Sequence, residues 1–91
     1  MTTTHGVNIE AIKAEIAAQL GYDPKKPPVH VDDMQAAEVL TVKENTLAVW
    51  RSTGRYNLPF LKVGRLVRYR VSDLAIFLAS RTVNHTGEEQ A

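Results

Sequence analysis

The runs Phe60-Leu61-Lys62-Val63 and Leu66-Val67-Arg68-Tyr69-Arg70, joined by Gly64-Arg65, constrain this chain more than any other stretch. Two apolar and basic segments rich in strand-forming residues around a two-residue connection that contains glycine read as a β-hairpin. A two-stranded ribbon is marginal alone in water and holds only when packed on other elements. A chain of 91 residues has room for one modest core, which covers about 60% of the unfolded surface. The hairpin therefore has to lie on helices drawn from the rest of the sequence.

Those helices are marked by caps and periodicity. Asn8 can N-cap a helix over about residues 8–20, whose Ile9, Ile12, Ile16 and Leu20 form one apolar stripe and which Gly21 ends. Asp23–Pro28 (DPKKPP) is a proline-rich linker, so 1–28 read as an N-terminal extension and 29–81 as the main domain. Asp32 with Gln35 makes a capping box that opens a second helix, ending near Leu40, with Met34, Ala37 and Leu40 on its buried side. Thr41-Val42-Lys43 turns the chain into a third helix that runs to about Thr53 and stops at Gly54. The start of that helix is ambiguous: Thr41 with Glu44 also fits a capping box, and Lys43 is a poor N-cap. Ser72 is expected to N-cap a last helix, Asp73–Ser80, with Leu74, Phe77 and Leu78 inward. Thr2–Gly6 and residues 82–91 lack periodicity and are expected to be flexible ends. Short helix, tight turn, second helix, basic hairpin and final helix is the order of a winged helix-turn-helix. The expected fold is thus mainly α with a small β-hairpin wing and an added N-terminal helix.

The net charge of +1 conceals a separation. Residues 1–40 carry −3 and residues 71–91 carry −2, whereas 41–70 set Lys43, Arg51, Arg55, Lys62, Arg65, Arg68 and Arg70 against Glu44 alone, a net of +6. These cations are mostly arginine, the side chain suited to bidentate phosphate and base contacts, so a polyanion is the natural partner of this block.

At these residues the chain resembles a known family. Val31–Leu40 (VDDMQAAEVL), Val42–Trp50 (VKENTLAVW) and Leu58–Leu78 (LPFLKVGRLVRYRVSDLAIFL) are similar to the small excisionase and AlpA-like regulators of the MerR-type superfamily. That family's pattern is a capped helix with paired alanines, then LGVS, TLxxW and LPxxKxGxxxRYxxSDLxxFL, and the match covers roughly Val31–Arg81. Two positions depart from it: Thr41 stands at the turn glycine and Lys43 at the N-capping serine. Either Thr41 caps the third helix and Lys43 is solvated, or Lys43 sits at the positive end of the helix dipole, where a phosphate would relieve the conflict. The resemblance implies a DNA-binding accessory protein, a recombination directionality factor without catalysis of its own. Such a protein binds adjacent sites cooperatively, bends attachment-site DNA and biases an integrase (a tyrosine or serine recombinase) toward excision of a mobile element. It also implies a bacterial, phage or mobile-element setting and a cytoplasmic location on the nucleoid.

At about 100° per residue, Leu47 and Trp50 define the inward face of the third helix. Asn45, Ala48, Val49 and Ser52 then fall opposite and would enter the major groove, while Thr46 and Arg51 flank them and would touch phosphate. Asn45 alone can make a bidentate adenine contact; Ala48 and Val49 offer only apolar contact to thymine methyls. Single-site specificity should therefore be modest, with phosphate contacts supplying most of the affinity. Arg65 at the hairpin tip is the candidate minor-groove arginine. Lys62, Arg68 and Arg70 are candidates for the flanking backbone, Arg55 and Lys43 for further phosphates. Trp50 and Tyr69 are read as core.

Enzyme readings find no support. Cysteine is absent, and His5, His30 and His85 lie in linkers or ends without metal-ligand spacing. No glycine-rich phosphate loop or nucleophile elbow occurs. No catalytic residue, cofactor, metal or membrane segment is expected. Acidic ends around a basic middle offer a motive for head-to-tail self-association on DNA. Two alternatives stand: a transcriptional regulator on the same scaffold, which promoter-reporter assays beside excision assays would separate, and a protein-interaction adaptor using the first helix as its interface.

Overall fold

Asn8 acts as the N-cap that the sequence suggests: its side-chain oxygen accepts from the Ala11 amide at 3.2 Å and caps helix α1, Ile9–Gln19. The computed structural model describes residues 8–82; the expected fraying of Thr2–Gly6 and the tail from Val83 onward lie outside the described residues. Gly21, at φ +88°, closes α1 in the left-handed region. Asp23 then folds the linker into a turn, its side chain accepting from the Lys25 amide at 2.9 Å.

Strand β1, His30–Asp32, follows the prolines and leads directly into α2, Asp33–Leu40. The junction is the expected capping box. Asp32 Oδ1 accepts from the Gln35 amide at 2.8 Å, and Gln35 Oε1 accepts from the Asp32 amide at 3.2 Å. Helix α3 spans Glu44–Thr53, and an irregular turn at Arg55–Asn57 leads to β2, Leu61–Val63, and β3, Leu66–Arg70. Helix α4, Val71–Ser80, starts without a break from β3. The described residues thus form four α-helices with a three-stranded antiparallel sheet of order β1-β3-β2. Gly64 at φ +60° and Arg65 form the two-residue connection between β2 and β3.

Four details correct the sequence reading. His30 belongs to a strand, paired with Arg70 in the β1–β3 ladder, rather than to a linker. Met34 is 64% exposed, and the buried side of α2 is Ala36, Ala37, Val39 and Leu40. This short helix is covered from more than one direction, by α3 and by the sheet, and Met34 lies on the side that neither covers, whereas Asp33 beside it is half-buried. Ser72 does not cap α4. The helix begins one residue earlier, at Val71, with Arg70 at the N-cap and no side-chain cap hydrogen bond; the Val71 amide donates to the Val29 carbonyl at 2.9 Å, which ties the start of α4 to the chain entering β1 and places Ser72 inside the first turn. Thr41 does not cap α3 either: it closes α2 in the left-handed region at φ +58°, and Lys43 occupies the N-cap of α3 without a side-chain hydrogen bond.

The core draws on all of α1–α4 and on strands β1 and β3. Val31, Leu47, Tyr69, Val71 and Leu74 are fully buried together with Ile16 of α1, and each large side chain so placed contributes roughly 1.5–3 kcal/mol by burial. Helix α1 packs along α4, with Ile9, Ile12 and Leu20 also against the core. Gln19 donates to the Glu38 carbonyl at 3.2 Å and ties α1 to α2. The apolar stripe of α1 is thereby packed within its own chain. Among the described residues, no helix is long and apolar enough to cross a membrane.

Candidate nucleic-acid interface

Leu47, 1% exposed, fixes the roll of α3 by pointing into the core. Asn45, Val49 and Ser52 are consequently exposed on the far side, and Ala48 and Thr46 are half-buried at its margins. The Ser52 hydroxyl donates to the Val49 carbonyl at 3.1 Å, which leaves its oxygen free to accept. Trp50 lies half-buried against the core, edge-on to Tyr56 at 4.8 Å between ring centroids, and so is not offered outward as a base-stacking platform.

The expected cations separate by role. Arg51 is not at the edge of the outward face. Its guanidinium lies 2.8 Å from Asp33 Oδ1 and donates to the Tyr69 hydroxyl at 3.0 Å, with the Phe60 ring 5.9 Å from its centre. Burial favours the neutral form of Arg51, but the Tyr69 hydrogen bond and the Tyr69 and Asp33 charges outweigh it and hold the guanidinium above its ordinary pKa. Tyr69, 1% exposed, is raised above the ordinary phenol value chiefly by burial, with Asp33 adding to the rise and Arg51 partly offsetting it. Arg51 therefore ties α3 to the start of α2 and to β3, and the phosphate role expected for it is withdrawn. The helical wheel already carried this signal, since Arg51 sits one turn after Leu47 on the same stripe.

Register decides the strand cations. Lys62 pairs with Val67, whereas Leu61 pairs with Arg68 and Val63 with Leu66. Directly paired residues share a sheet face, so Lys62 leaves on the Val67 and Tyr69 side, opposite Arg68 and Arg70. Arg68 and Arg70 share one side of β3 as expected, and of the three flanking-backbone candidates Lys62 alone lies on the other face. Arg70 sits 3.6 Å from Asp73, and Arg68 donates from Nε to His30 Nδ1 at 3.2 Å. Arg55 lies 5.1 Å over the Tyr56 ring. Lys43, at the start of α3, and Arg65, at the hairpin tip, are exposed.

An open groove of about 380 Å³ runs between the hairpin and the helices. Arg65, Leu66 and Arg68 line one side; Asp32, Asp33, Met34 and Glu44 line the other, with Arg51 between. Asp32 is engaged by its cap and Asp33 by Arg51. Among the described residues Glu44 makes no ion pair, and sequence reasoning had not placed it on this surface. The arrangement offers a concavity bounded by the first turn of α3 and a hairpin whose tip is cationic, open to a partner rather than closed around a small molecule. Comparison with known families, characterised proteins and solved structures gives no match for this chain.

Proposed function

We propose that the chain is a non-catalytic DNA-binding protein on a winged helix-turn-helix. In this reading α2 and α3 are the helix pair, α3 the recognition helix and β2–β3 the wing. The observation that carries it is the outward α3 face of Asn45, Val49 and Ser52 beside a hairpin that presents Arg65 and Arg68 along an open groove, whose other side holds Glu44 at the start of α3 with Asp32, Asp33 and Met34. A helix with an uncommitted outer face beside a cationic ribbon suits a duplex: the helix takes the major groove, the ribbon tip the neighbouring minor groove, and Lys43 a phosphate at the helix N-terminus. The resemblance noted above narrows the role to an excisionase-type accessory that binds adjacent sites, self-associates head to tail on DNA and directs an integrase toward excision.

Fluorescence anisotropy with labelled duplex across a salt series tests this. Affinity should fall steeply as salt rises from 50 to 200 mM, with a log–log slope of about −0.9 per phosphate neutralised. Absence of binding at the lowest salt, or a flat salt dependence, overturns it.

A further inference from the structure

Val63 and Leu66 form the last cross-strand pair of the hairpin and flank the Gly64-Arg65 connection. Both project from the same sheet face, and they are 62% and 61% exposed. Two large apolar side chains at the narrow end of a ribbon, with Arg65 at the tip and Arg68 two residues below Leu66, make a surface of mixed chemistry. A flat apolar protein partner would strand the arginines. A nucleic-acid minor groove offers both halves at once: phosphates on its rims for the arginines and, where a base step opens at its floor, apolar base faces for the two side chains.

We infer that Val63 and Leu66 are a wedge that enters the minor groove beside Arg65 and partly unstacks one base step, kinking the duplex. The inference rests on the DNA-binding reading and adds to it the means of deformation and a source of sequence preference. Apolar side chains inserted between base steps are a known way to bend DNA toward the major groove. The preferred target is then a flexible pyrimidine–purine step such as TpA within A·T-rich sequence, where unstacking is easiest and the groove attracts arginine. Preference at such a step needs no hydrogen bond from the protein, which suits a helix whose outward face has Asn45 as its only amide side chain.

The test uses a short duplex with a central TpA step, 2-aminopurine in place of its adenine, and donor and acceptor dyes at the two ends. Full-length protein at low salt should raise the 2-aminopurine emission and shorten the end-to-end distance. The double variant Val63→Thr/Leu66→Thr keeps strand-forming residues and should show an unchanged circular dichroism spectrum. It should bind within about threefold of the parent, since phosphate contacts carry most affinity, while leaving both signals at their free-DNA values. Arg65→Ala, by contrast, should weaken binding. Parent protein that binds without either signal, or a double variant that gives both in full, overturns the wedge and leaves DNA binding standing. A dimer of the protein alone, seen by sedimentation and abolished by the double variant, assigns the patch to a second copy and overturns it as well. Failure of the parent to bind the duplex at all removes the DNA reading and the wedge with it.

Discussion

Thr41 holds a left-handed backbone conformation at φ +58°, which a β-branched residue adopts at a cost and glycine without one. Thr41→Gly should stabilise the protein by about 1 kcal/mol, raising Tm by roughly 4–8 °C in a domain of this size; thermal melts monitored by circular dichroism check it. Arg51 is the opposite case, a residue whose replacement unravels a junction. Arg51→Met leaves Asp33 without its cation and the Tyr69 hydroxyl without its donor, and should cost about 2 kcal/mol in denaturant unfolding. Where the variant remains folded, its slope of log affinity against log salt should match the parent, because Arg51 holds protein rather than phosphate. Sequence pattern could reveal that Arg51 lies on the Leu47 stripe. It could not reveal the partners, because Asp33 and Tyr69 come from distant segments that only the finished fold assembles.

Elements with local signals were the legible ones. The Asp32–Gln35 capping box, the Asn8 cap, the Gly54 stop and the Gly64-Arg65 turn are each written within a few residues, and each forms as read. Strand β1 was hidden because three residues, His30-Val31-Asp32, carry too short a pattern, and their pairing depends on β3 far along the chain. The same register hid the true aspect of Lys62. In the DNA-binding reading, Arg65→Ala should flatten the salt dependence by about 0.9, whereas Lys62→Ala, on the other face of the ribbon, should change it by much less; anisotropy titrations of both distinguish the two sides of the hairpin. Tyr69 gives β3 an alkaline limit. Its folded pKa lies above the unfolded value, so its neutral form supports the fold fully below pH of about 10 and that support is lost as pH rises through the higher folded value. Denaturant melts should show a loss of stability on that alkaline limb, smaller in Tyr69→Phe.

At the scale of the molecule, the basic block is less of a continuous patch than its sequence suggests, since Arg51 and Arg70 face carboxylates and Lys62 turns away. Glu44 opposes a polyanion in the groove that Arg65 and Arg68 line. Glu44→Gln should tighten duplex binding by about twofold to fivefold, the scale of a single exposed charge interaction, and competition titrations read it directly. The packing of α1 on α4 has a consequence for the chain's continuity. The segments nearest the two ends of the described fold clasp each other, so the backbone between them is not what holds α1 in place. Tryptic cleavage between Lys25 and Lys26 should therefore yield two fragments that still migrate as one particle, and part only on dilution or in denaturant. A recombinant piece lacking the first helix would lack Ile16 from the core, and supplying that helix as a separate peptide should restore its cooperative melt.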